Sequence, residues 1–432
     1  MYFAYAHAPI ECYFAHSARD FVVQELPLYD FSGSGEHRIL KVRKKNLTTF
    51  ELIGIIAKYF NLPAKSIGYA GLKDKHATTT QYLSIPAKNA QDFHARFNSI
   101  AKEYDIKLLD STLHSNKLRL GHLKGNRFFM RLKKLTPANA KKLESTFIHI
   151  AQNGFPNFFG FQRFGINGDN YLLGRALNMQ HSAKSTITIY EAPYLALLTE
   201  LVPELFYSPS TSTKQKRAMR EFFISSYQSF LFNGWLRARI CLSAWVRDSS
   251  VKDLQEFARH YATKPSKLES SFCLERAQDA CATTLCARFL QSLPKAALES
   301  LHKQSQAFTL LDGDLCCHYP HGKLFTLDIP TRAECERFFH QGFSPTGALS
   351  GQNLKYAHNL ARQLERNFIS PILAPSSRRY AWVWASDVEY IYKPQVAQAE
   401  LHFSLPSGAY ATSFLEQILK QHLKSQSPTQ SK

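Results

Sequence analysis

The chain has 432 residues, 44% hydrophobic and 20% charged, which excludes a disordered polymer and allows two or three domains around a large core. Lys and Arg number 53 against 34 Asp and Glu, a formal net charge of +19. That excess argues against a small neutral substrate and for a polyanionic partner, nucleic acid ahead of an anionic membrane surface.

Eight cysteines are spread thinly, none forms Cys-x-x-Cys, and no His cluster completes a zinc pattern with them. They read as reduced thiols and give no zinc pattern, so no metal is expected. No apolar run approaches the length of a membrane span, and Met1 to Ile10 lacks a leader pattern. The expectation is a cytoplasmic protein with no membrane partner.

In chain order, residues 18–28 read as a strand ending at Pro27, and Gly33 to His37 as a turn. Arg38 to Lys44 alternates Ile39, Lys41 and Arg43 with Leu40 and Val42, a half-exposed basic strand. Thr48 or Thr49 caps a helix whose buried face carries Ile53, Ile56, Ala57 and Phe60. Asn61-Leu-Pro63 stops it. Ser66 to Ala70 reads as a strand in, Thr78 to Ile85 as a strand out, and Asn89 to Ile100 as a short helix with Phe93 and Phe97 inward.

Between those two strands lies Gly68-Tyr-Ala-Gly-Leu-Lys-Asp-Lys-His-Ala-Thr-Thr-Thr-Gln81, which sets one acid, Asp74, among Lys73, Lys75 and His76. Cations on either side favour its carboxylate form. A sharp loop on a rigid scaffold suits a reactive group, although Lys-Asp-Lys alone also fits an ordinary turn.

Ile106 to Leu109 reads as a strand, and Lys117 to Lys124 as another, alternating Leu118, Leu120 and Leu123 with Lys117, Arg119 and Lys124. Gly125-Asn126-Arg127 is taken as a turn into a further strand, Phe128 to Lys133. Cations interleaved with rings suit single-stranded RNA, the cations for phosphate and the ring faces for unstacked bases; a solvated sheet face has the same pattern.

Pro137 to Asn153 reads as a helix opened by its proline. Gly154 to Gly165 packs five Phe and three Gly with Asn157, Gln162 and Arg163, an ordered loop at a domain boundary. Asp169 to about Ser300 is mostly helical, with one long helix over Lys214 to Val246 and a surface elaboration at 247–306. Asp312 and Asp314 read as a turn before a carboxylate pair. Gln352 to Phe368 reads as a helix. Tyr380 to Ala385, Val388 to Tyr392 and Glu400 to Leu405 read as strands, Ala411 to Lys424 as a helix, and 425–432 as a disordered tail. The β-rich end suggests a discontinuous body, 1–154 plus 371–432, interrupted by 155–370. No Gly-rich phosphate loop is present, so no nucleotide cofactor is expected.

These blocks resemble the TruD-type tRNA pseudouridine synthases. The resemblance rests on Ala70 to Ala77 with Thr80-Gln81, Lys117 to Gly121 with Lys124-Gly-Asn126, Pro156 to Gly160 with Gln162 to Gly165, Ser229 to Asn233, and Leu405 to Gly408 with Ala411 to Ser413. It implies an α+β fold: a mixed, mainly antiparallel catalytic sheet, an inserted α/β domain, and a basic cleft between them. It implies a cofactor-free isomerisation of a uridine, typically position 13 in the D-arm of tRNA, by a monomer. Asp74 matches the essential aspartate, Phe128 the stacking aromatic, and Asn126 the residue that orients the aspartate. Phe21 matches a pocket position, with Lys73 and Glu25 as weaker matches. Lys75, His76 and Arg163 are further candidates for RNA contact. A non-catalytic RNA-binding protein on the same fold is the alternative.

Overall fold

The computed structural model describes residues 3–15, 17–89, 93–165, 168–181, 213–262 and 275–423. It is a mixed α/β protein with mainly antiparallel sheets. Among the described residues, no helix is long and apolar enough to cross a membrane. Among the described residues, contacts divide the chain into two compact units: one lies within 9–152 and 384–411, the other within 3–8, 153–383 and 412–423. The sequence division put 371–383, 412–425 and the first eight residues in the β-rich body instead.

The first unit is built on a nine-stranded sheet. Its strands are β1 (Tyr13–Phe14), β2 (Phe21–Pro27), β3 (His37–Lys45), β4 (Gly68–Tyr69), β5 (Thr78–Pro86), β6 (Ile106–His114), β7 (Leu123–Lys133), β8 (Ser386–Lys393) and β9 (Gln398–Pro406). The order is β8-β9-β7-β2-β5-β3-β6, with β1 also on β7 and β4 also on β5. Only β2 and β5 run parallel, with Gln24 opposite Thr80.

Three helices serve this sheet: α1 (Thr49–Phe60), α2 (Phe93–Glu103) and α3 (Pro137–Asn153). Helix α1 opens with a capping box: Thr48 accepts from the Glu51 amide while Glu51 accepts from the Thr48 amide. It ends at Asn61 in the left-handed region, φ 49°. Leu52, Ile53, Ile56 and Phe60 from α1 and Phe93, Phe97 and Ile100 from α2 share one core with Leu40, Val42, Leu83 and Ile85 of the sheet.

The segment 117–133 differs from the expectation. Residues 117–122 are irregular with a turn at Leu120 and Gly121, and the chain then runs straight through Gly125 and Asn126 as one strand. Asn126 lies opposite Glu25 on one side and Leu405 on the other. Gly125 is there for close approach: a Cβ would stand 2.3 Å from the Leu405 carbonyl oxygen. A glycine that reads as a turn is a point of close approach between two strands.

The second unit holds a four-stranded antiparallel sheet in the order Leu324–Thr326, Leu315–His318, Phe343–Leu349, Ser377–Tyr380. Phe155–Pro156 pairs separately with Trp382–Val383. A 36-residue helix, Thr213–Asp248, carries Phe232, Trp235, Leu236 and Leu242 inward. Asp314 accepts both guanidinium arms of the fully buried Arg239, at 2.6 and 2.8 Å, so the Asp-Gly-Asp acid anchors this core. Gln352 to Phe368 is helical only from Asn359 on.

The elaboration at 247–306 is helical over Val251–Ala262, Glu275–Gln291 and Lys295–His302. It is more than surface: Leu254, Cys286, Leu290 and Leu298 are buried, and the Cys286 thiol donates to the Ala238 carbonyl of the long helix. Residues 263–274 of that segment, the helical reading of 182–212 and the tail at 425–432 lie outside the described residues.

Candidate active site

The Asp74 loop leaves β4 and enters β5, as the apolar run and the Thr-rich alternation predicted, though β4 is only two residues long. Gly68 allows the entry because a Cβ there would collide with Ser84 Oγ and the Leu118 carbonyl oxygen. Ser84 Oγ accepts from the Leu118 amide at 3.0 Å, and the Gly121 amide donates to Ala70 at 3.0 Å. Segment 117–121 therefore clamps the incoming arm of the loop.

Asp74 itself is exposed, between exposed Leu72 and the exposed Lys75 and His76. Its support comes from the residue before it. Lys73 is buried, and its ammonium lies 2.8 Å from Glu25 Oε2 on β2. The Lys73 amide donates to Thr49 Oγ1 at 2.9 Å, and Thr49 Oγ1 donates to Gln81 Oε1 at 3.2 Å. Glu25 Oε1 also accepts from the Tyr82 amide at 3.3 Å. Burial raises the Glu25 carboxyl above its usual range, with Lys73 and the Tyr82 amide opposing it. One ion pair and one threonine thus tie the residue before Asp74 to β2, β5 and α1.

A further cation was missed by the sequence reading. Lys44 of β3 is fully buried, and its ammonium donates to the Leu47 and Asp74 carbonyl oxygens, the latter at 3.4 Å. Burial lowers it from 10.5 to about 8, with the charge of Asp74 opposing the shift. A signal existed: Lys44 falls in the same alternating set as Leu40 and Val42, the inward face of β3.

The expected cations divide differently from the sequence reading. Lys73 serves Glu25, and Lys75 pairs with Glu51 at 3.3 Å on the surface. Phe21 and Phe128 do come together, stacked at 6.2 Å with planes 7° apart, and Phe403 covers the next face of Phe128 at 5.4 Å. Phe128 keeps 6% exposure, so its ring is chiefly a wall. The Asn126 Oδ1 atom is buried and has no hydrogen-bond partner among the described residues, and the Gln81 Nε2 atom shares that state. In the second unit Arg163 donates to Ser229 Oγ at 3.2 Å and Ser225 Oγ at 2.7 Å of the long helix. Among the described residues, no cluster of His, Cys, Asp or Glu is arranged to hold a metal ion.

Residues 1–195 match the family described as tRNA pseudouridine synthase D (TruD). The tRNA pseudouridine synthase D of Helicobacter hepaticus is 42% identical over 97% of this chain and 96% of its own length. That of Wolinella succinogenes is 39% identical over 97% of both. A crystal structure from Methanosarcina mazei, described as a tRNA pseudouridine synthase D, shares the fold at a TM-score of 0.56 and 20% identity, covering 98% of this chain and 96% of that one. With identity at this level along nearly its whole length, the chain belongs to the tRNA pseudouridine synthase D (TruD) family.

Proposed function

We propose that this chain is a tRNA pseudouridine synthase, an isomerase that converts a uridine of tRNA to pseudouridine with Asp74 as the essential nucleophile and no cofactor. The observation that carries the reading is the contrast at the loop: Asp74 stands exposed, while the residue before it is sealed into the sheet by Glu25 and Thr49. A fixed backbone presenting an exposed carboxylate is what a nucleophile acting on a docked sugar or base requires. The names of the relatives supply tRNA as the substrate class, and the charge of +19 agrees with it.

The reaction breaks the N1–C1′ bond, turns the uracil and joins C5 to C1′. C5 loses a proton and N1 gains one, so the change is a balanced isomerisation without oxidant or reductant. An ionised carboxylate serves at C1′, at C6 or as base toward the sugar. The target uridine must leave its stack. In this reading the base meets exposed Leu72 and the Phe21–Phe128 wall, Asn126 orients the aspartate through its side-chain N–H, and Lys75, His76 and Arg163 meet phosphate. The unit with the nine-stranded sheet is the catalytic body, and residues 155–370 of the other unit are the inserted domain. The chain acts as a cytoplasmic monomer at uridine 13 of the D-arm.

The test is Asp74→Asn. It should bind tRNA within about twofold of wild type and lose pseudouridine formation by about a thousandfold or more. Normal turnover by that variant would sink the assignment of Asp74. A wild type that binds tRNA yet forms no pseudouridine would leave the non-catalytic RNA-binding reading in its place. Mapping pseudouridine in tRNA from cells with and without the gene identifies the target uridine.

A further inference from the structure

The irregular segment that replaces the expected strand at 117–124 builds a second concave site in the same unit as Asp74. Tyr29, Asp30, His114, Asn116, Lys117, Arg119 and His122 line an open cavity of about 480 Å³. The Tyr29 ring lies parallel to His114 within 27° at 5.3 Å and edge-on to His122 at 5.6 Å. The Tyr29 hydroxyl is hydrogen-bonded to His122 Nδ1 at 2.7 Å, and Ser32 holds His114 Nδ1 through its amide at 3.2 Å and its hydroxyl at 3.1 Å. The rings are therefore fixed before any ligand arrives. Two cations stand on the same rim: Lys117, anchored on the Lys65 carbonyl oxygen at 2.5 Å, and the exposed Arg119.

We propose that this cavity binds one unpaired nucleotide of the RNA substrate, its phosphate on Lys117 and Arg119 and its base against Tyr29 and His114. Preset ring faces beside a pair of cations match the two chemistries of an unstacked nucleotide, a π-face and a phosphodiester. The cavity volume is of ligand size. Asp30 and Asn116 supply an acceptor and an amide for the edge of the base. The link to the catalytic loop is direct, since Gly121, in the same turn as Arg119, donates to Ala70 at 3.0 Å. Ala70 precedes Asp74 by four residues, which span at most about 14 Å of chain. One RNA strand can therefore occupy both places, and docking here would fix the arm that carries Asp74.

This inference rests on the reading of the chain as an RNA-modifying enzyme, and one titration separates the two. The full chain and its variants are titrated with a tRNA transcript at several salt concentrations, and pseudouridine is assayed in the same samples. Arg119→Ala, a change at an exposed side chain, should weaken binding about fivefold to tenfold and lower the slope of log affinity against log salt by about 1. Tyr29→Ala should weaken binding by about tenfold with little change in slope, and Tyr29→Phe, which keeps the ring, should lose less. Thermal melting of each variant checks folding. Arg119→Ala and Tyr29→Ala that bind as wild type, with the wild-type salt slope, would overturn the site. Wild type that binds without isomerising would instead overturn the proposed activity.

Discussion

Lys44 holds the main-chain carbonyl of Asp74 from beneath, its ammonium 3.4 Å from that oxygen and fully buried. The contact fixes the backbone and leaves the side chain free. It also makes the loop sensitive to alkali, because burial brings Lys44 down from 10.5 to about 8. Above about 8 the ammonium loses its charge, and its bonds to Leu47 and Asp74 weaken. Pseudouridine formation should therefore fall on the alkaline side with an apparent midpoint near 8. Lys44→Met should lower the rate by about tenfold at neutral pH and remove that limb. A pH–rate profile of the two proteins decides it. Stability should move oppositely: the cost of burying the charge is full below about 8 and is relieved as pH rises to 10.5, where the unfolded chain also deprotonates. Melting of wild type against Lys44→Met across that window checks the direction.

The Lys73–Glu25 pair predicts a different signature. Both side chains are almost completely buried, so removing one leaves the other uncompensated. Glu25→Gln or Lys73→Met should each cost about 3–5 kcal/mol of stability. The double replacement should cost clearly less than the two added together. Urea denaturation of the four proteins measures the coupling, and simple additivity would show that the pair does not act as a unit.

Thr49 joins the Lys73 amide to Gln81. Thr49→Val keeps the shape and loses both bonds. It should lower kcat by about tenfold or more, since the backbone before Asp74 is then released, while tRNA affinity stays within about twofold. Thr48→Ala is the companion: it should remove about 1 kcal/mol through the lost cap and act on stability. A Thr49→Val enzyme with wild-type kcat would argue against the positioning role.

Gly125→Val should unfold the first unit. Its Cβ would be driven into the Leu405 carbonyl where β7 and β9 are in register. The loss should exceed about 3 kcal/mol, and even Gly125→Ala should melt measurably lower.

The local features were legible in the sequence. Pro137 and Asn153 bound α3 as read, Thr48 caps α1, and the β4–Asp74–β5 loop stands where the apolar run and the Thr-rich alternation put it. Period and caps are near-neighbour properties, which sequence displays directly. Residues set by distant partners were not legible. Gly125 reads as a turn until Leu405, 280 positions away, is known to lie against it. Lys73 reads as the companion of Asp74 until Glu25 arrives from β2. Lys44 was within reach of the alternation rule, but a lysine on an inward face is discounted by habit. The family resemblance identified Asp74 and Asn126 as candidates, yet nothing local announces that Asn126 would keep an unpartnered buried oxygen opposite Glu25.

The pairing of β7 with β9 has a consequence for synthesis. Nine consecutive pairs join Leu123–Lys133 to Gln398–Pro406, and about 265 residues separate the two strands in the chain. At roughly 5–20 residues per second, a ribosome needs on the order of 13–50 s to bridge that gap. Through that interval β7 presents an open backbone edge to solvent, with Phe128 and Met130 on one face. The nascent enzyme is thus most open to aggregation while the middle of the chain is being made, and a release from the ribosome before residue 398 leaves a sticky half-sheet. Chaperone dependence in cells should track that window more closely than the stability of the finished protein.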